Sequence, residues 1–354
     1  MKTKPRDKEY CGCDKIKIKS ANPVLNKKNL AHLNYFIRER YKIHIKKDIL
    51  KQPPPYTKDP VLGVYRFTNV RREHDRQTIH LIKEISTNKN LTLEEKIINT
   101  FLFRSWNNFD TFNSLGGPWK MQELTSPGLK ENIRPLYLKL VQEDPARKWW
   151  SSAYNQGGTK CAWKFPAGDG YSRAYKEEEA KKHHSWEADI PLRVFHIIPW
   201  LISEKTPERL ISAKDQQEAF SIIKEIRGFA DFLAYQVFVD LTYIKEFPFS
   251  ENEFTAAGPG CRKGLDYIFD DFDGLTYEEA LFWLRDGING RNLFQRNGLT
   301  WNPDSLFEDI PEQDRKMNVM SLENCHCELS KYMRTINNVG RPRVRYRTTI
   351  KEEV

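Results

Sequence analysis

The run IINTFLFRSWNNF, residues 97–109, limits what this chain can fold into more than any other stretch. Thr92 and Glu95 precede it at capping-box spacing, so a helix starts there. That helix is apolar nearly all round, and a helix without a polar face must be covered on every side. Further helices are the natural cover, and the chain supplies them. Leu30, Leu33, Phe36, Ile37 and Ile43 recur at helical spacing within 29–50. Helical patterns follow at 69–86, 190–202, 207–226, 232–243, 276–284 and 321–332. Alternating strand patterns are few and no repeat appears, so the expected fold class is all-α, or mainly α. Residues 52–56 hold three prolines and read as extended. Gly116-Gly117-Pro118 breaks the chain, and 127–182 carries no clear period, with a turn-rich part at 155–170.

The 354 residues suffice for one large domain or two ordinary ones. We expect a basic irregular segment at 1–28, one helical domain at 29–335 and a basic tail at 336–354. No apolar run approaches the length of a membrane span, and the N-terminus lacks the apolar core of a secretory signal. Six cysteines in a chain this long are too few for a disulfide scaffold. The expected location is therefore cytoplasmic, the host cytoplasm if the chain is viral, with no membrane partner. The net charge of +9 gathers at the ends. Residues 1–51 carry fifteen Lys or Arg against five Asp or Glu, and 331–347 add six cations without an acid. Such ends point to a polyanionic partner, nucleic acid first.

Residues 59–78 pack Arg66, Arg71, Arg72 and Arg76 around Asp75. Read as helix from Asn69, they set Arg72, Asp75 and Arg76 on one face at i, i+3 and i+4. Such a face either locks a fold as an ion-pair network or grips an anion such as phosphate. Arg104 and Asn107 share an i, i+3 relation on the apolar helix. Gly228 sits between two helical stretches, as in a helix-hairpin-helix whose turn meets a DNA phosphate, or as in an ordinary αα-corner. Residues 256–264 read as a glycine-rich turn with Gly258, Gly260, Arg262 and Lys263, able to bind an anion or simply to cap a helix. It is not a Walker A loop, and GxxxxGK[ST] occurs nowhere in the chain, so a self-contained P-loop kinase is not expected. Asn324, Cys327, Glu328 and Lys331 share a helical face. Glu328 suits a general base or an amine anchor, and the alternative is a solvated face. Cys325, His326 and Cys327 lie too close in sequence for a zinc site without partners such as Cys11 and Cys13, so no metal site is assigned. His183 and His184 read as solvated.

Five blocks taken together resemble a known family: 53–78, FLFRSWNNFDTF (101–112), GFADFLAYQVFVDL (228–241), AGPGCRKGL (257–265) and LENCHCELSKY (322–332). In the same order, they are similar to blocks of phage and viral α-glutamyl/putrescinyl-thymine pyrophosphorylases. The same helical domain is known beside 5-hydroxymethyl-deoxyuridine DNA kinases. The resemblance covers about residues 33–335, with a poor match at 127–205. It implies a fold related to the helix-hairpin-helix DNA glycosylases. It also implies a transferase acting on double-stranded DNA that carries a modified pyrimidine, with base flipping. An amino acid or polyamine replaces pyrophosphate on pyrophosphorylated 5-hydroxymethyluracil, giving a hypermodified thymine. A DNA kinase is the implied partner. No cofactor is assigned, and a divalent metal (Mg) is left open. The resemblance carries over the family's motif residues as Arg72, Asp75, Arg76, Arg104, Asn107, Gln236, Asp240, Gly258, Gly260, Arg262 and Glu328. Arg72, Arg76, Arg104, Arg262 and Lys263 suit the leaving pyrophosphate. Asp75, Asp240 or Glu328 suits the amine, and Asn107 and Gln236 suit a flipped base edge. Gly228 and Lys331 complete the expected DNA- and substrate-binding set. The alternatives are a glycosylase-like enzyme and a non-catalytic DNA-binding module that partners the kinase. Glycosylases of this fold usually carry an aspartate shortly after the hairpin. The window 248–257 offers only Glu251 and Glu253, which disfavours base excision.

Overall fold

The computed structural model describes residues 15–125, 129–151, 190–226, 228–340 and 345. Among them the chain is mainly helical, with one two-stranded sheet. It divides into two compact units, one built from 1–75 and 251–354, the other from 76–250.

In the first unit, α1 (Lys15–Ser20) and β1 (Val24–Leu25) lead into α2 (Lys27–His44), which runs on through a π turn at Ile45–Ile49. Residues 15–25 thus carry regular structure where an irregular segment was expected. Asn26 caps α2 by accepting from the Asn29 amide. β1 pairs antiparallel with β2 (Phe269–Asp271), Leu25 opposite Phe269. The core is lined by Phe36, Ile37, Tyr41, Leu265, Phe294, Leu322 and Leu329.

The second unit is organised around α4 (Leu93–Trp106), whose residues from Glu95 to Trp106 are all buried. The expected capping box is present: Thr92 accepts from the Glu95 amide, and Glu95 accepts from the Thr92 amide at 2.8 Å. Around α4 pack α5 (Phe109–Ser114), α9 (Thr206–Ile211) and α11 (Asp231–Leu241), and His80 of α3 (Arg76–Leu81) stacks on Phe103 at 5.9 Å. α6 (Met121–Leu124), α7 (Leu129–Glu143), α8 (Ile197–Ser203) and α10 (Gln216–Glu225) complete the helices of this unit among the described residues. Trp106, Phe112, Trp119 and Phe195 meet edge-on or tilted at 5.0–6.4 Å between ring centroids.

Three expected elements differ from the structure. The helix read over 69–86 is interrupted. Arg72–His74 form a single 3-10 turn, Asp75 is extended at φ −74°, ψ 134°, and α3 begins at Arg76. The cause is side-chain capture. Asp75 accepts the Asn69 amide at 3.2 Å, and Asn69 Nδ2 donates to the His74 carbonyl at 2.7 Å. The single Arg72–Asp75–Arg76 face therefore does not form, and the boundary between the units falls after Asp75. The stretch 207–226 is two helices, split where Asp215 caps α10. The turn at 256–264 ends early. Gly258 is an N-cap, Pro259 opens α12 (Pro259–Ile268), and Gly260 and Gly264 are helical. α13 (Tyr277–Asn289), α14 (Leu293–Arg296), α15 (Pro303–Leu306) and α16 (Val319–Ile336) follow.

Gly260 and Gly264 set the distance between α12 and α16. A Cβ at Gly264 would stand 2.1 Å from the His326 carbonyl oxygen, and one at Gly260 would stand 2.5 Å from Cys327 Sγ. A Cβ at Gly258 would meet nothing closer than Glu323 Oε1 at 3.6 Å. Gly264→Ala is therefore expected to lose about 3 kcal/mol or more of unfolding free energy, since a rigid carbonyl cannot yield. Gly258→Ala is expected to lose roughly 1 kcal/mol or less. Urea titration of both variants checks the contrast, and equal losses would overturn this account of the helix spacing.

Candidate functional site

α16 presents two buried carboxylates, Glu323 and Glu328, 8% and 4% exposed. Burying a charge is costly unless it is paired, so each has a partner. Glu323 accepts from the Gly258 amide at 3.4 Å, at the N-terminus of α12. Glu328 accepts from the Thr68 amide at 3.4 Å and from the Lys331 ammonium in a close ion pair.

The segment 67–75 lies against these carboxylates and is held from both sides. Arg40, on α2, donates to the Phe67 carbonyl and to Asn69 Oδ1 at 2.7 Å. Asn324, on α16, donates to the Asn69 carbonyl at 2.9 Å and accepts from the Thr68 hydroxyl at 3.0 Å. The neighbouring arginines then do different jobs. Arg71 pairs with Glu73 at 2.6 Å and donates to the Asp314 and Lys316 carbonyls, which tie down another loop. Arg72 is buried within electrostatic reach of Asp75 and Glu323.

The electrostatics follow. Burial pushes the Glu323 carboxyl up to about 7; the Gly258 amide and Arg72 oppose the rise, and Glu328 adds to it. Burial also raises the Asp75 carboxyl against the pull of Arg72, the Asn69 amide and Arg40. Burial works against the Lys331 ammonium, but Glu328 prevails and raises it. Arg72, Asp75, Glu323, Glu328 and Lys331 thus form one electrostatically coupled set, in which burial lifts Glu323 furthest from the ordinary carboxyl range. Glu323 escaped the sequence reading, because a glutamate on a helix looks solvated until the helix facing it is known.

The rest of the expected set divides. Arg262 donates to the Ala257 carbonyl at 2.9 Å and lies 5.3 Å from the centre of the Tyr277 ring. The Ala257 amide is taken by Glu278 at 3.0 Å, and the Gly258 amide by Glu323. Those two amides are thus occupied by carboxylates, which fits the helix-cap alternative read over 256–264. Lys263 is exposed beside a shallow groove formed with Asp266, Tyr267, Ser330 and Arg334.

In the second unit, Arg104, Asn107 and Asp240 come together. Arg104 makes a bidentate pair with Asp240, at 2.7 Å for Nη2 to Oδ1, and donates to Asn107 Oδ1 through Nη1. Asn107 adopts the left-handed backbone conformation, φ 49°, and donates to Ser151 Oγ at 2.7 Å. Asp240 and Arg104 are 0% and 2% exposed, so this pair is a lock inside the helix packing. Gln236 is buried on α11. Gly228 takes φ 89° between α10 and α11, a turn that an L side chain would strain. Asp231 sits in the first turn of α11 and pairs with Lys224 at 2.6 Å. Arg76 is exposed, its guanidinium 5.1 Å from the centre of the Phe109 ring. Cys11, Cys13, His183 and His184 lie outside the described residues. Cys325 and His326 are buried, with His326 Nδ1 against the Leu322 carbonyl at 2.7 Å, which fits packing rather than zinc.

The family model described as "5-hmdU DNA kinase, helical domain" matches residues 27–341. The chain belongs to that family. A 5-hmdU DNA kinase of Bacillus phage SP10 is 26% identical to this helical domain over 319 residues, 84% of this chain and 44% of that protein. The chain thus spans less than half of that relative's length. No solved structure matches. Among the described residues, no helix of this domain is long and apolar enough to cross a membrane.

Two outcomes follow from the site. A carboxyl whose folded pKa is raised binds its proton more tightly in the folded state, so its contribution falls as pH rises above the unfolded value and is fully lost above about 7. Glu323→Gln, which keeps an acceptor for the Gly258 amide, is expected to stabilise the protein at pH 8 by up to about 3 kcal/mol, with the gain shrinking towards pH 5. Thermal unfolding across that range checks the sign; a variant less stable at pH 8 would contradict the burial account. In the second unit, Asp240→Ala is expected to cost about 3–5 kcal/mol by stranding Arg104, and Arg104→Met/Asp240→Leu to recover much of that loss. A double-mutant cycle reads the coupling.

Proposed function

We propose that this helical domain acts on DNA containing 5-hydroxymethyluracil and carries a base-modifying transfer step. The reading rests above all on the coupled set of buried Arg72, Glu323 and Glu328 with the partly exposed Asp75 and Lys331, in which burial raises the Glu323 carboxyl to about 7 within electrostatic reach of the Arg72 guanidinium. Membership of a 5-hmdU DNA kinase family and the basic chain ends support the choice of substrate.

In this reaction an amine attacks the exocyclic methylene carbon of a pyrophosphorylated 5-hydroxymethyluracil. A C–N bond forms, the C–O bond breaks, pyrophosphate departs with its electron pair, and the nitrogen gives up a proton. Glu323 takes that proton, because a base works best when its pKa is near the operating pH. Glu328 and Asp75 orient the neutral amine of the donor, an amino acid or polyamine, by accepting from its N–H groups, so that the one proton released after C–N bond formation passes to Glu323. Arg72 meets the charge that develops on pyrophosphate. Arg76, exposed on its helix, contributes to DNA phosphate binding, as does the turn at Gly228.

A second reading is supported by the comparison of lengths. The SP10 kinase is more than twice the length covered here, and the matching family is described as a helical domain. Under that reading, the domain binds modified DNA for a kinase partner without catalysing transfer itself.

The test is to incubate the full chain with DNA carrying pyrophosphorylated 5-hydroxymethyluracil and a panel of amines. Nucleoside mass spectrometry and pyrophosphate release are then read together. An adduct with release of pyrophosphate is expected. DNA binding with no adduct from any donor would favour the second reading, and a free base with an abasic site would point to excision. Because Glu323 must be deprotonated to act as the base, the transfer rate is expected to rise with pH through about 7 and then level off. Glu323→Gln should lower it about 100-fold or more and remove that limb of the profile. A variant with the wild-type pH profile would remove Glu323 from the mechanism.

A further inference from the structure

The first unit holds a group of ligating side chains that the transfer chemistry does not use. His44 lies at the end of α2, His74 closes the 3-10 turn that starts at Arg72, and Asp309 belongs to the turn after α15. One ligand atom from each lies within 4.8 Å of the others. The two imidazole rings stack with centroids 4.3 Å apart and an interplanar angle of 18°. His44 is 3% exposed.

The hydrogen bonding around these rings is incomplete in a specific way. His44 Nδ1 is 3.1 Å from Asp48 Oδ2, which places its proton on Nδ1 and leaves a lone pair on Nε2. That Nε2 is buried without a hydrogen-bond partner, and so is Nδ1 of His74. Asp309 accepts from the Tyr41 hydroxyl through Oδ1 at 2.6 Å. Two buried imidazole nitrogens without partners, beside a carboxylate, need something that accepts lone pairs. A metal ion would accept both lone pairs and the carboxylate oxygen at once.

We propose that His44, His74 and Asp309 bind a divalent first-row transition ion. Two imidazole nitrogens and one carboxylate oxygen are a ligand set that zinc takes and that magnesium does not favour. The Asp48–His44 hydrogen bond is the outer-shell carboxylate such sites use to orient a ligating ring. The surrounding charge also fits. Asp48, Glu73 and Asp309 face Arg71 and Lys47, and Arg71 is already tied to Glu73 and to two backbone carbonyls. The bound ion joins three segments distant in sequence. One of them is the turn that carries Arg72 and leads into Asp75, so the ion acts as a positioning element for that turn.

The experiment uses the full chain, stripped by a chelator and then titrated separately with Zn²⁺, Co²⁺ and Mg²⁺. Metal content by mass spectrometry, calorimetric affinity and the visible spectrum of the Co²⁺ form are the readouts, and none depends on transferase activity. One equivalent of Zn²⁺ or Co²⁺ per chain is expected, with no comparable binding of Mg²⁺. Zn²⁺ should raise the melting temperature and slow hydrogen exchange at the His74 and Asp75 amides. Asp309→Asn, a change at an exposed residue, and His74→Ala should each weaken Zn²⁺ binding 10-fold or more. A quadruple Cys11, Cys13, Cys325 and Cys327→Ser variant should keep the affinity. Failure to bind Zn²⁺ or Co²⁺ stoichiometrically, or unchanged binding in the His44→Ala/His74→Ala variant, would overturn the site. So would loss of binding in the cysteine variant alone.

Discussion

The close approach of α12 and α16 is the constraint on which the first unit depends. It exists because Gly260 and Gly264 offer no side chain where His326 and Cys327 pass. At that spacing, one face of α16 becomes interior although it carries Glu323 and Glu328. The N-terminus of α12 comes down onto Glu323, and a backbone amide becomes its partner. Two buried carboxylates on one helix would be intolerable alone. The segment 67–75, bringing Arg72 and backed by Arg40, makes them tolerable. The glycines therefore act at a distance from their own positions, by deciding which groups lose water.

The two buried charge clusters illustrate opposite uses of the same chemistry. Arg104 and Asp240 form a bidentate, fully enclosed pair, and Arg104 also donates to Asn107. Such a pair holds α4 against α11 and leaves little capacity for a ligand. The cluster around Glu323 is less closed. Asp75, Glu323 and Glu328 share Arg40, Arg72 and Lys331, Glu328 raises both of its acidic neighbours, and one carboxyl is carried to about 7. Frustration of this kind is characteristic of sites that move protons, because no single arrangement of charge satisfies every group.

Backbone interruptions supply the positioning. Had Asn69 to Ser86 formed one helix, Arg72 and Arg76 would share a face. Asp75 instead accepts the Asn69 amide while the Asn69 side chain donates to the His74 carbonyl, and Arg72 ends in a single 3-10 turn between α2 and α16. His74 of that same turn stacks on His44. One short turn thus contributes to two chemically different clusters, which accounts for its dense hydrogen bonding.

Some of this was legible from sequence alone. The capping box at Thr92 and Glu95, the burial of most of the 97–109 run, the mainly α class and the closeness of Arg104 to Asn107 at the end of α4 follow from local spacing. Helix starts and apolar periodicity are set within a few residues. Tertiary structure alone decided the rest. It made Gly260 and Gly264 contact points rather than an anion loop, buried Glu323, assigned Arg71 to backbone carbonyls and Arg72 to carboxylates, and gathered His44, His74 and Asp309. Each of these outcomes depends on which groups lose solvent against partners tens to hundreds of residues away. Desolvation is a property of the packed neighbourhood, and no local pattern encodes it.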